Sequence, residues 1–324
     1  MDGFGGDYAP EQIAAGCLQA ADIARIPILL TGDQNILESL IKDKPGSELI
    51  EIVHASEQIG MEEAPIEAVR KKKESSLVVA ANLVRQKKAA ALISAGNTGA
   101  CMAASLLNIG RVRGIERPAI TCLMPTLNGV CLIVDAGANV DCRPKYLLQF
   151  AQMGSIYAEK VLAVAKPRIG LLNIGEEPHK GNDLSQKSYQ LLANSELNFI
   201  GNVEGRDISH GEVDVVVCDG FVGNTIIKFA EGLGSALFSM LKTEFMKSTP
   251  RKIAASVLRP GLKNIAKKMD YTEYGGAPLL GVNGAVIIAH GTSNQKAIYN
   301  AIRAAKTAVD NQVVQSIAEI MAGE

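Results

Sequence analysis

Short apolar runs alternate with amphipathic segments along the whole chain. Residues 91–95, 130–134, 169–174, 213–218 and 285–289 are apolar at nearly every position. A run without polar alternation reads as a strand covered on both faces, the habit of parallel sheets in α/β folds. Each run ends in a small, polar, glycine-containing cluster, at 96–99, 135–139, 175–183, 219–225 and 290–294. In four of the five a helical segment follows directly. Upstream, 10–24 reads as a helix with Ile13, Cys17, Leu18 and Ala21 on one face and Pro10 in its first turn. Strands are expected at 28–30 and 49–53, helices at 34–41, 66–73 and 77–88, and a β-hairpin over 119–134 turning at Asn128-Gly129. The pattern predicts an α/β, Rossmann-like, three-layer fold with a mostly parallel sheet, as a single α/β domain over 1–324. Ligands of such sheets bind at the carboxyl ends of the strands, where the polar clusters lie.

One stretch departs from this pattern. Residues 242–268 carry eight basic side chains against the single acid Glu244, with Ile253, Val257, Leu258, Leu262, Ile265 and Met269 at three- and four-residue spacing. Pro260-Gly261 is expected to break the run, giving an inserted amphipathic helical hairpin over 240–272. A basic amphipathic surface is open to solvent, to a membrane face or to an acidic partner.

Composition narrows the classes. With 33 Lys+Arg against 34 Asp+Glu the formal net charge is −1, which lacks the positive excess that non-specific nucleic-acid binding needs. Aromatic residues make up 4% and Trp is absent, so stacking platforms for single strands are not expected. The acidic start, with Asp2, Asp7 and Glu11, does not read as a signal peptide. Residues 89–110 and 275–295 lack charge, but turn residues interrupt both, so each is expected to be a buried strand, a loop and a helix or strand rather than a membrane span. Six cysteines show no C-x-x-C pair and no metal-ligand spacing, which fits buried thiols in a reduced, cytoplasmic setting. No metal and no cofactor is called for. The 31 glycines, about a tenth of the chain against the usual ~7%, gather in the strand-end clusters.

Those clusters hold the candidate chemistry. No G-x-G-x-x-G, Walker loop, G-x-S-x-G elbow or H-E-x-x-H occurs. Gly96-Asn97-Thr98-Gly99 opens an apolar helix, where free backbone N–H groups and the helix dipole favour an anion, or where Asn97 or Thr98 simply caps the helix. Asp219-Gly220-Phe221-Val222-Gly223-Asn224-Thr225 repeats the design, with Asn224 as anion ligand or as N-cap. The polar loop from Asn173 through Glu177 to Lys180-Gly181 is long for a strand-to-helix connection, and Lys180 is either an anion ligand or a solvent-facing charge. Asp183 is expected to cap the following helix. Asp135 and Asn139 end one strand and His290 ends another, each a site residue or a turn former.

At these residues the sequence resembles the bacterial phosphate acyltransferase family of phospholipid synthesis. The matching stretches are Gly5-Gly6-Asp7-Tyr8-Ala9-Pro10, Ala68-Val69-Arg70-Lys71-Lys72-Lys73 with Ser75-Ser76, and Ser94-Ala95-Gly96-Asn97-Thr98-Gly99-Ala100. Asp135-Ala136-Gly137-Ala138-Asn139-Val140-Asp141-Cys142, Leu171-Leu172-Asn173-Ile174-Gly175-Glu176-Glu177 and Lys180-Gly181 follow in order. Cys218-Asp219-Gly220-Phe221-Val222-Gly223-Asn224 and Tyr274-Gly275-Gly276-Ala277-Pro278-Leu279-Leu280-Gly281 complete the set. The resemblance implies an isocitrate/isopropylmalate dehydrogenase-like fold and transfer of an acyl group from acyl carrier protein to inorganic phosphate. It implies Lys180 and Asn224 as the catalytic pair. Gly96, Asn97, Thr98, Gly99, Asp135, Asn139, Asn173, Glu177, Gly223 and His290 are expected around phosphate or substrate. It further implies a homodimer whose hairpin, through Ile253, Val257, Leu258 and Leu262, touches anionic membrane lipid, so that a cytoplasmic protein associates peripherally with the membrane. The family carries a strand ahead of its Gly-Gly-Asp loop, whereas Met1 here directly precedes Asp2, so the sheet beside that loop is expected to be short of a strand. The competing readings are a decarboxylating dehydrogenase using a nicotinamide and a divalent metal, a phosphotransacetylase using coenzyme A, and a non-catalytic binder of lipid or carrier protein.

Overall fold

The computed structural model describes residues 1–269 and 273–322. Its first third is α1 (Glu11–Ala24), β1 (Ile28–Gly32), α2 (Gln34–Ile41), β2 (Ile50–His54), α3 (Pro65–Lys71), α4 (Ser76–Arg85), β3 (Ala91–Ser94) and α5 (Thr98–Ala104). The middle is β4 (Ala119–Thr126), β5 (Gly129–Val134), α6 (Pro144–Lys160), β6 (Ile169–Leu172), α7 (Asp183–Ala193), β7 (Phe199–Val203), α8 (Gly205–His210) and β8 (Val215–Val217). The last third is α9 (Gly220–Met246), α10 (Thr249–Met269), β9 (Ala277–Leu280), β10 (Ala285–Ile288), α11 (Gln295–Asp310) and α12 (Val313–Ala322). All five apolar runs become strands. The two uncharged stretches become β3 with α5, and β9 with β10. The described residues hold no helix long and apolar enough to cross a membrane.

Eight strands form one sheet in the order β3-β10-β9-β4-β5-β8-β6-β7. β9 and β4 run antiparallel to each other and to their outer neighbours, whereas β3–β10 and β5–β8–β6–β7 are parallel sets. The two parallel sets therefore point in opposite directions. Ile288 pairs with Ala277, Leu279 with Ile120, and Val134 with Thr121. The carboxyl ends of β10 and β5 thus stop at nearly the same height on the central pair, facing each other across it. Strand-end loops from both halves converge on one cleft.

Helices cover both faces, as expected for strands apolar at consecutive positions. Leu132, Val134, Val215 and Val217 pack under α6 and α12, while their alternates Cys131, Ile133 and Val216 pack with Ile208 and Ile227 of α8 and α9. Leu92 and Val286 face α3 to α5, and Ile93 and Ile287 face α1 and α11. The strand, loop and strand expected over 275–295 are β9 and β10, with Pro278 inside β9. β7 has no strand signal in the sequence, because the run Phe199–Val203 is interrupted by Gly201 and Asn202.

β1 and β2 pair separately. Met1 and Asp2 join them to the main sheet: Met1 N donates to Leu29 O at 2.7 Å, Thr31 N to Met1 O at 2.9 Å, and Asp2 N to Ile93 O at 2.9 Å. Next to Met1 an open groove of about 600 Å³ separates β1 from β3, lined by Ile28, Ile93, Ile302 and Ala305.

The hairpin differs from its expected form. Its turn lies at Lys247-Ser248, between the 27 residues of α9 and the 21 of α10. Pro260 sits inside α10. Its missing N–H and ring weaken one turn there, but Ile253, Val257, Leu258, Leu262 and Ile265 keep one helical phase across it. Pro250, in the first turn of α10, is where a proline suits a helix. Of the expected hairpin span, 270–272 lies outside the described residues.

Candidate active site

Three loops of the second half-sheet and two of the first border the cleft. The loop after β5 is built around Asp135. Its buried carboxylate accepts from the N–H groups of Ile120, Gly137, Ala138 and Asn139 at 2.7–3.1 Å, and from Asn139 Nδ2 at 2.8 Å. Burial pushes this carboxyl's pKa up, and the N–H donors of Ala138, Asn139 and Gly137 pull the other way. Asn139 Nδ2 also donates to Pro118 O at 2.8 Å. Both side chains are spent on shaping the loop, so they position the site rather than face it.

The N-terminus of α9 lies directly on that loop. Gly220 N donates to Asn139 O at 2.7 Å. A Cβ on Gly220 would come within 2.8 Å of Asn139 O, and one on Gly223 within 1.9 Å of Asp135 O. Glycines three apart give this helix one face without side chains. That bare face brings backbone against backbone and carries Asn224 to the cleft edge, where its side chain lies over Gly137. The cap is Asp219, which accepts from Val222 N at 2.9 Å, so the N-cap alternative for Asn224 is corrected. The helix starts earlier because Gly220 and Gly223, poor helix formers in isolation, are fixed by the loop beneath them.

The loop after β6 holds Lys180. Asn173 Nδ2 donates to Lys180 O at 3.1 Å, Lys180 N donates to Glu177 O at 3.0 Å, and Asn202 Nδ2 donates to Glu177 O at 2.8 Å. Gly181 adopts φ +85°, and a Cβ there would strike Asn173 Oδ1 at 2.4 Å. Asn173 is thus a strut for the Lys180 turn, and the Glu177 carboxylate stays exposed at its rim. The cap of α7 is Asn182, not Asp183; Asp183 occupies the first turn and pairs with Lys187 at 2.8 Å. Because β6 and β8 are neighbours, the Lys180 loop lies beside the start of α9, and Gly181, Asn182, Asp219 and Val222 line one cavity between them.

From the other half, Gly96 is buried against Gly5 and donates from its N–H to Ser94 Oγ at 3.1 Å. Asn97 is the cap of α5, accepting from Ala100 N at 3.0 Å and donating from Nδ2 to Met61 O and Glu63 O at 2.8 and 3.2 Å. Its side chain is fully used. A Cβ on Gly99 would meet Pro65 Cγ at 2.7 Å, so that glycine serves packing. Thr98 is exposed to the cleft. His290 Nδ1 accepts from Thr292 N at 3.2 Å and lies 2.8 Å from Thr292 Oγ1. A further support escaped the sequence reading: buried Asp2 accepts from Ser76 Oγ and Ser94 Oγ at 2.6 Å each. Nothing local signals a cluster whose members are 74 and 92 residues away from Asp2.

Thr98, Gly137, Asn224 and His290 together line a second cavity of about 360 Å³. Among the described residues, no hydrogen bond engages the Thr98 hydroxyl or the Asn224 amide, and no ion pair engages Lys180. Donors aimed at a cleft without a protein partner are suited to an anionic ligand.

The family model described as fatty acid synthesis protein matches residues 1–316. The chain is 52% identical over 318 residues to a phosphate acyltransferase of Desulfitobacterium hafniense, covering 98% of this chain and 95% of the relative. It is 51% identical over 317 residues to a phosphate acyltransferase of Thermoanaerobacterium thermosaccharolyticum, covering 98% and 94%. Among solved structures, it is similar in fold to a phosphotransacetylase from Streptococcus pyogenes, with TM-score 0.63 at 17% identity over 95% of this chain and 91% of that one. A 4-hydroxythreonine-4-phosphate dehydrogenase from Klebsiella pneumoniae gives TM-score 0.53 at 11% identity over 93% and 95%.

Proposed function

The chain belongs to the fatty acid synthesis protein family, as a phosphate acyltransferase, and from that premise we propose that it moves an acyl group from acyl carrier protein to inorganic phosphate. The products are acyl phosphate and free carrier protein, and the reaction serves phospholipid synthesis. One observation carries this reading. Strand ends from two opposed half-sheets meet at a cleft where Thr98 and Asn224 present donors without protein partners, and the loop that carries Lys180 lies beside the start of the Asn224 helix.

The chemistry asks little of a protein base. Phosphate is already an anion, and one of its oxygens attacks the thioester carbonyl carbon. The C–O bond forms, the tetrahedral oxyanion collapses and the C–S bond breaks. Sulfur leaves as a thiolate, whose conjugate acid has a pKa near ~8.5. Catalysis is then positioning plus oxyanion stabilisation. Lys180 and Asn224 hold the phosphate and the developing oxyanion, Thr98 adds a hydroxyl from the facing half, and Lys180 neutralises the departing thiolate. Free thiol released from a long-chain acyl carrier protein should appear with phosphate and not without it. Equal cleavage in both conditions, or none in either, overturns the reading.

The hairpin supports a membrane-facing and dimeric role. Ile253, Val257 and Leu258 are 63%, 75% and 54% exposed on a helix dense in Lys and Arg, while Leu262 is half-buried. An amphipathic basic surface of this kind binds anionic lipid, which suits a cytoplasmic enzyme handing on a hydrophobic product. The exposed face of α9, with Phe229, Leu233 and Leu237, is suited to a second copy of the chain. In sedimentation with anionic liposomes, Leu258→Glu should lower the bound fraction; unchanged binding would remove the membrane role.

A further inference from the structure

The 360 Å³ cavity extends beyond the groups that the phosphate chemistry needs. Asn224, Ile227, Lys228 and Glu231 all line it. Their spacing of three, four and seven residues puts them on one face of α9. The opposite wall is β4, through Ile120 and Cys122, which share one sheet face because strand side chains alternate. Ala136, Ala277 and Ile288 close the sides. Both walls run the same way. Ile120 lies level with the Asp135 loop, to which it donates its N–H at 3.1 Å, and Cys122 lies two residues farther on. Burial, then the negative charge of Glu231, pushes the Cys122 thiol's pKa up to about 11, with Lys228 opposing, which sets Cys122 against the Lys228–Glu231 turn. The cavity is polar at Thr98, Asn224 and His290, apolar along Ile120, Ile227 and Cys122, and polar again at the Lys228–Glu231 pair, whose charges are 3.1 Å apart. From Asn224 to Glu231 the helix rises about 10 Å.

We propose that this cavity seats the fatty chain of the thioester, carbonyl at Asn224 and chain running along β4, and that the small side chain of Cys122 keeps the far end of the seat open. The assignment rests on the acyl-transfer reading above. Its physical basis is continuity: the apolar wall begins at the oxyanion donors and ends at an exposed ion pair, from which a longer chain emerges beside the apolar face of α9. Cysteine is the small residue on that wall, and a larger side chain there shortens the seat.

The test compares acetyl- and hexadecanoyl-pantetheine. In Cys122→Phe, kcat/KM for phosphate-dependent thiol release should fall at least tenfold for hexadecanoyl and stay within twofold for acetyl. Glu231→Phe, on the exposed helix surface, obstructs the same end without loading the core and should act in the same direction. Calorimetric binding of hexadecanoyl-pantetheine without phosphate reads the seat apart from turnover, and both variants should weaken it at least tenfold. Unchanged hexadecanoyl binding in both variants, or parallel loss with both chain lengths, overturns the seat. Wild-type protein that binds hexadecanoyl-pantetheine but releases no thiol with phosphate overturns the reaction and leaves the seat standing.

Discussion

Replacing Asn224 or Lys180 by Ala is expected to lower kcat/KM for phosphate-dependent thiol release by 10²–10³, equivalent to about 2.7–4 kcal/mol of transition-state stabilisation for each lost donor. For Asn224→Ala, stability should move by less than about 0.5 kcal/mol, the usual range for exposed side chains away from structural features. Asn224 is exposed with no hydrogen-bond partner among the described residues, and Lys180 makes no ion pair there. The double variant should lose less than the product of the two single losses, because both groups act on one reacting centre. Near-wild-type turnover in both single variants would remove the pair from the mechanism. The same kinetics separate roles: loss in KM for phosphate alone assigns a group to ground-state binding, and equal loss in kcat and kcat/KM assigns it to the oxyanion.

Gly223→Ala should be the most damaging single methyl in the active site. Its Cβ would lie 1.9 Å from Asp135 O and 3.0 Å from Cys218 Sγ. The first contact is with backbone, in a loop whose carboxylate already holds four N–H groups, so neither partner yields cheaply. Overpacking of this kind costs about 1–3 kcal/mol, and displacement of Asn224 by an ångström costs about 10²-fold in rate. Gly232→Ala is the control in the same helix. Nothing lies within 4 Å of its Cβ, so it should stabilise by about 0.4–1 kcal/mol through the unfolded chain. Urea midpoints and thiol release on both variants check the contrast, and equal behaviour of the two would refute the close-packing account.

The apolar runs made the strands and the helix layers legible, since continuous burial on both faces leaves no polar alternation. The cysteines, expected as buried thiols, are free, and Cys17, Cys101, Cys131 and Cys218 are buried, whereas Cys122 and Cys142 are only half-buried. Capping was less legible. Asn97, Thr98, Asn224 and Asp183 were all plausible caps, yet Asn97, Asp219 and Asn182 take the role, because the helix start is chosen by the loop beneath it. Asp135 reads identically in sequence whether it faces a ligand or its own turn, and only its five partners decide. Gly99, beside Thr98 in an anion-type motif, turns out to accommodate Pro65. Pro260 signalled a break that α10 does not make, because the apolar phase on either side outweighs one missing hydrogen bond.

Sequence alone determined the α/β layering, the strand-end placement of glycine and polar residues, and the family, each carried by local pattern or by motifs in order. Tertiary structure decided which of those residues meet. The opposed half-sheets follow from the antiparallel pairing of β9 and β4, and that direction depends on partners more than a hundred residues apart. That reversal turns two rows of strand ends into a single cleft. It also separates Asn139 and Asn97, whose hydrogen bonds are spent inward, from Asn224 and Thr98, whose donors remain for a ligand.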